Sequence, residues 1–205
     1  GNAGLVGRCG HQSRSTRSAL VRAFVTGGTG TKLGYSTDGL TWTVATSQPF
    51  SSTVVQIAWN GSLWLAASSS DSSYVLATSP DGMTWTGVTS GLPSAGSITC
   101  SGIAWGNSMW LVVLSGNVYK STNGSTWTQV TIAPGCSAVA YGNHLFLVSN
   151  GGGLYISSDA VTWTTPTNIG SLNLDINGNG AAAAIVALQF NGKIWLAGFG
   201  GMDST

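Results

Sequence analysis

The sequence predicts an all-β fold of four-stranded antiparallel sheets. Three observations carry that prediction: a unit that recurs about every 40 residues, two different turn motifs inside each unit, and a composition poor in helix formers. Only 6% of the 205 residues are charged, glutamate is absent, and Gly, Ser and Thr together exceed a third of the chain. A helical protein draws on Ala, Leu, Glu and Lys. This chain draws instead on Gly, Ser, Thr, Trp and Val, of which the last three suit a pleated, half-buried surface.

Residues 1–19 fit neither motif and hold Arg8, Arg14 and Arg17, with Arg22 just beyond. They are expected to be a tag remnant, a misread frame or an irregular first strand. Residues 20–205 are expected to form the repeat domain, beginning where Leu20-Val21-Arg22-Ala23 aligns with Leu63-Trp64-Leu65-Ala66. One motif, of the type S-T-D-G-L-T-W-T, starts at Ser36, Ser79, Ser121 and Ser157. Its tryptophans Trp42, Trp85, Trp127 and Trp163 are 43, 42 and 36 residues apart. Asp38, Asp81, Asn123 and Asp159 precede Gly or Ala, where an Asx side chain closes the turn by accepting backbone N–H groups.

The second motif alternates with the first: I-A-W-N-G-S-L-W-L-A from Ile57, with relatives from Ile103, Val139 and Leu188. It contributes Trp59, Trp64, Trp105, Trp110 and Trp195. Asn60-Gly61 and Asn191-Gly192 read as hairpin turns whose two central positions take positive φ, and Gly106-Asn107 and Gly142-Asn143 read as the same turn reversed. One unit is therefore strand A, a tight turn, strand B, a longer variable loop, strand C, an Asx turn and strand D. Such a meander cannot bury its aromatic rows alone, and radial stacking of sheets into a β-propeller solves the problem. The first unit has strands B, C and D, and the last has A and B. The expected ring has four blades, or five if residues 1–18 add strands, with the termini sharing a blade. An open form that dimerises through unpaired edge strands is the alternative. The thirteen motif residues Asp38, Asp81, Asn123, Asp159 and the nine tryptophans are expected to be structural, with the rings in the core.

The S-x-D-G-x-T-W pattern resembles the Asp-box of sialidase-type repeats, whose usual form is one residue longer between the Asp and the Trp. Its alternation with A-W-N-G-S-L-W is more similar to tandem propeller repeats of large algal viruses, phage tail proteins and marine environmental sequences. The resemblance implies a propeller on an extracellular or virion surface. It also implies that the Asp-box is a fold-stabilising turn remote from any active site.

Chemistry is excluded more readily than assigned. A net charge of +1 with Lys32, Lys120 and Lys193 as the only cations after Arg22 cannot supply a basic stripe for nucleic acid. No apolar run is long enough to span a membrane as a helix. Cys9, Cys100 and Cys136 have no metal-ligand spacing, and Cys100 and Cys136 occupy the repeat position of Val54 and Ile185, as small buried hydrophobes would. Sialidase chemistry needs an arginine cluster and a glutamate, and neither is present in the repeats. Asp71, Asp175 and Asp203 read as solvated loop residues, His144 as an exposed turn tip, and His11 lies in the unmatched segment. Segment 173–180 lacks the terminal carboxylate of a calcium loop. No cofactor, metal or catalytic residue is expected.

The expected function is a non-catalytic binding or structural module recognising a glycan or a protein. Its expected contacts are the B–C loops, Ser68 to Ser73 and Asn150 to Gly153, and the D–A loops, Ser90 to Ser97 and Thr167 to Asn179. The alternatives are a sialidase-type enzyme with an atypical site and an assembly-factor propeller.

Overall fold

The computed structural model describes residues 24–28, 32–151, 153–166 and 184–200, and among them there is no helix. Segment 1–19, Asp175, Asp203 and segment 173–180 lie outside the described residues. Five antiparallel sheets follow the chain. Blade I holds β1 (Phe24–Thr26), β2 (Gly34–Ser36) and β3 (Thr43–Val44). Blade II holds β4 (Val54–Trp59), β5 (Trp64–Ser68), β6 (Leu76–Ser79) and β7 (Thr86–Val88). Blade III holds β8 (Cys100–Gly106), β9 (Met109–Leu114), β10 (Asn117–Ser121) and β11 (Thr128–Gln129). Blade IV holds β12 (Cys136–Gly142), β13 (Leu145–Asn150) and β14 (Gly153–Ser157), with a single bridge between Ile156 and Thr164 in the fourth-strand position. The last unit is the hairpin β15 (Ala184–Phe190) and β16 (Trp195–Gly200).

The arrangement is radial: first strand β4 adjoins β8, β8 adjoins β12, and β12 adjoins β15. Each of these strands shifts register against its partner at the same place, between Val54 and Gln56, Cys100 and Gly102, Cys136 and Ala138, and Ile185 and Ala187. A bulge there sharpens the local twist. The residue that opens it is buried in all four copies, which explains why Val, Ile and Cys interchange at that position. Cys100 and Cys136 are free thiols, and burial pushes Cys100 up to about 12.

The core lies between sheets rather than within one. Leu33, Ala45 and Phe50 of blade I pack with Trp85 of blade II. Leu65 and Val88 of blade II pack with Trp110 and Trp127 of blade III, and Leu111 and Val113 of blade III pack with Phe146 and Val148 of blade IV. The linker leaving each blade also bonds to the next one. Ser47 Oγ accepts from Trp85 N at 2.5 Å and donates to Trp85 O at 2.8 Å, while Trp127 N donates to Ser90 O at 3.0 Å.

Three expectations need correction. Trp42 and Trp59 are exposed, not core. The Asn-Gly turn has positive φ only at Gly61 (102°), with Asn60 Oδ1 accepting from Ser62 N and Leu63 N at 2.8 and 2.6 Å. In the reversed copies the turn residues are Asn107 and Ser108 (46° and 56°) and Asn143 and His144 (45° and 60°). Gly106 and Gly142 instead end their strands, where an added Cβ would lie 2.0 Å from the Tyr141 ring and 2.3 Å from the Phe190 ring of the following blade. Those glycines serve packing between blades, not turn formation. Among the described residues β15–β16 and β1–β2–β3 are separate sheets, so the blade shared by both ends is not joined there.

Candidate functional site

The Ser-x-Asx turn is the same in all four blades. Ser36, Ser79, Ser121 and Ser157 each donate an Oγ proton to Oδ1 of the Asx residue at 2.9–3.0 Å and accept from the backbone N–H three residues on at 2.8 Å. The Asx Oδ1 in turn accepts two further backbone N–H groups, from Leu40 and Thr41 in blade I and from Val161 and Thr162 in blade IV, all at 2.8 Å. The Thr41 and Thr162 amides lead in holding Asp38 and Asp159 down to about 2. Burial raises Asp81, but the Thr84 and Met83 amides outweigh it and its net shift is downward. These carboxylates stay ionised and engaged in the turns of blades I, II and IV, and blade III makes the same bonds with the Asn123 amide.

Trp85 and Trp127 finish the turn by donating Nε1–H to Gly82 O and Gly124 O at 3.0 and 3.1 Å. In blade IV the glycine is Ala160, its carbonyl accepts from Lys120 Nζ at 3.3 Å, and Trp163 Nε1 is left buried without a partner. Of the remaining motif rings, Trp110 is fully buried. Trp59 with Trp64, and Trp105 with Trp110, form cross-strand pairs with centroids 4.9 Å apart, as do Phe190 and Trp195. They are structural pairs, each flanking an A–B turn.

A meander places its A–B and C–D turns at one end and its B–C and D–A connections at the other. The longer B–C loop expected in every repeat occurs in blades I and II, where seven residues each, 27–33 and 69–75, join the two strands. Blades III and IV join β9 to β10 through Ser115-Gly116 and β13 to β14 through residues 151–152, two residues each. Blade II uses residues 69–75 for the same connection.

Asp71 sits inside that loop and is only 1% exposed, which corrects its reading as a solvated residue. Its Oδ2 accepts from Ser51 N and Ser52 N at 2.5 and 2.9 Å, and its Oδ1 from Ser73 N and Tyr74 N at 2.7 and 3.0 Å. Burial raises the Asp71 carboxyl, the four amides lower it, and the net shift is downward. Asp71 O accepts from Gly96 N at 2.6 Å and Ser70 N donates to Ile98 O at 2.8 Å. The predicted segments Ser68 to Ser73 and Ser90 to Ser97 are thus joined through the Asp71 main-chain carbonyl, while the Asp71 carboxylate ties the first of them to Ser51 and Ser52. The signal of that carboxylate in the sequence is an Asp followed by Ser-Ser, easily taken for a solvated tip.

The two loops enclose a notch of about 220 Å³. Val75 and Val88 form its buried floor, Leu92, Pro93 and Ala95 one wall, and Ser73, Thr89 and Ser94 a hydroxyl rim. The predicted Asn150 to Gly153 segment lies in a different blade, where Asn150 Nδ2 donates to Ala133 O and Pro134 O and serves the fold. Thr167 to Asn179 lies outside the described residues. A larger open groove of about 490 Å³ on the turn face of blade III is lined by Met109, Lys120, Thr122 and Thr126. His144 is an exposed turn tip, as expected. Among the described residues no three His, Cys, Asp or Glu side chains cluster as metal ligands would, and no helix is long and apolar enough to cross a membrane.

A family model described as the DUF6242 beta propeller domain matches residues 36–137. A search of curated proteins finds no match to the chain. Among solved structures the chain is similar to YCF48 bound to D1 peptide, with TM-score 0.50, 14% identity, and 68% of this chain on 44% of that one. It is also similar to the computationally designed Ika8 protein, with TM-score 0.60, 11% identity, and 85% on 52%. A GH74 enzyme of Niastella koreensis matches with TM-score 0.50, 25% identity, and 71% on 22%. The chain therefore spans about half of the first two and under a quarter of the third. The matched propeller domain and the radial sheets establish a β-propeller repeat architecture.

Proposed function

We propose that this chain is a non-catalytic propeller module that binds a neutral glycan at the loop-face notch of blade II. One observation carries the reading. Blades III and IV join strands B and C with two residues, so the longer loop of blade II, latched by buried Asp71, exceeds what the fold requires. A rigid, uncharged notch with hydroxyls at its rim and an apolar floor suits a sugar, which offers hydroxyls at its edge and C–H groups on its face. The finer family reading belongs to the same proposal: an Asp-box-like propeller of a virion or secreted surface, where glycans are common partners.

The four described aspartates are all engaged by backbone amides and held low, which supports a role without general acid catalysis. A glycan array at millimolar sensitivity tests the proposal. Binding is expected, and Ser94→Trp, which fills the notch from an exposed position, should abolish it. An empty array contradicts it, and release of sugar from a bound glycan overturns the non-catalytic part. A second reading rests on the apolar wall of Leu92, Pro93 and Ala95, which also suits a small apolar side chain of a protein partner. The YCF48 structure is described with a bound peptide, and at 14% identity it supports the fold alone. Ser94→Trp blocking a peptide rather than a glycan would favour that reading.

A further inference from the structure

Blade III departs from the other blades at two neighbouring positions, and both changes make its turn face more positive. Strand C carries Lys120 immediately before the turn serine, where the other repeats have Tyr35, Thr78 and Ile156. The turn itself carries Asn123, where the others have Asp38, Asp81 and Asp159. Asn123 Oδ1 makes the same turn bonds as those carboxylates, accepting from Ser125 N and Thr126 N at 2.9 Å and from Ser121 Oγ at 3.0 Å. The asparagine is therefore silent for the fold, and it exchanges a negative charge for two Nδ2 donors. In a chain with only seven Lys and Arg and six Asp, the pair concentrates positive charge at one place.

Register places Lys120 in the open groove of blade III. It pairs with Leu111 on one side and Thr128 on the other, and directly opposed residues share a sheet face. Leu111 packs with blade IV, so Lys120 and Thr128 face the same gap. Lys120 Nζ crosses it to donate to Ala160 O at 3.3 Å and bonds no carboxylate among the described residues. In blades II and III the equivalent carbonyls of Gly82 and Gly124 take the indole N–H of their own turn, whereas Trp163 Nε1 is buried without a partner. An unpaired buried N–H destabilises, so seating the lysine tip on that carbonyl does not serve the blade IV turn. We propose that this groove binds the carboxylate of an acidic sugar, with Lys120 as its anchor. One of the three Nζ protons goes to Ala160 O, and the others are left for the anion. The hydroxyls of Thr122, Thr126 and Thr128 and the Asn123 amide suit the sugar's own hydroxyls, and the half-buried Met109 meets its C–H face. The volume of about 490 Å³ falls within the range of small-molecule sites. A lining made chiefly of hydroxyls favours a sugar over an acidic peptide.

Calorimetric titration of the chain at low salt with a short oligoglucuronate, beside the glucose oligomer of the same linkage, tests the proposal. The acidic oligomer should bind about tenfold or more tightly than the neutral one, and added salt should narrow the gap. Lys120→Met keeps the apolar stem and should remove the preference. Asn123→Asp restores the residue that three other turns already fold with, so it tests the site without threatening the blade, and it should weaken the acidic oligomer by repulsion. Ser94→Trp lies in the blade II notch and should leave this binding unchanged, which separates the two sites. Equal affinity for the two oligomers, a preference indifferent to both Lys120→Met and Asn123→Asp, or binding of an oligoglutamate peptide in place of the oligoglucuronate would each overturn it.

Discussion

Blade III and blade I contain the same Ser-x-Asx turn, with hydrogen bonds that agree to about 0.1 Å, yet Trp127 is buried and Trp42 stands half in solvent. The octapeptide determines the turn, and the neighbouring blade determines whether the ring becomes core. Removing the ring should separate the two cases most strongly. Trp127→Ala should cost about 3–5 kcal/mol in denaturant unfolding, whereas Trp42→Ala should cost less than about 1 kcal/mol. Equal losses would mean that the Trp42 face of blade I is covered in solution.

Glycines at the tight turns sharpen the same contrast. Gly106→Ala drives a methyl group into the Tyr141 ring of the next blade and should cost about 1–3 kcal/mol. At Gly61 an added Cβ meets nothing within 4 Å, so only its φ of 102° resists alanine, at about 1 kcal/mol. A reversal of that order in thermal melts would show that Gly106 acts in the turn after all. Blade IV offers a gain instead. Ala160 holds a φ of 53°, and Ala160→Gly should stabilise by about 1 kcal/mol by relieving the left-handed strain.

The smallest effect is the acid response. Asp38 and Asp159 are lowered from 3.8 to about 2, so their turns are fully supported above pH 3.8 and lose that support as pH falls toward 2. Asn123 makes the same bonds with an amide and does not titrate, so blade III should keep its turn. Amide exchange followed from pH 4 to pH 2 should show blades I and IV loosening before blade III, and uniform loosening would contradict this.

Much of this was legible in the residues. Four copies of Ser-x-Asx-x-x-Thr-Trp specified four turns, and the matching positions of Val54, Cys100, Cys136 and Ile185 identified a buried site common to the first strands. The bulge at that site was hidden, since any small hydrophobe satisfies it. Gly106 and Gly142 looked like turn residues because the rings that exclude a side chain there belong to the next repeat. Asp71 looked solvated because its ligands are main-chain amides, two of them about 20 residues away, and main-chain groups leave no mark in a sequence. Trp42 looked like core because a repeat pattern does not say which copy's ring is packed against another sheet among the described residues.

Indole N–H exchange is the most direct measure of the claim that each blade buries the ring of the next. Trp85 and Trp127 donate to Gly82 and Gly124 carbonyls beneath the preceding blade and should exchange slowly, and Trp42 should exchange fast. Equal protection of all three would show that burial is set within a blade, and the account of a core shared between blades would fail.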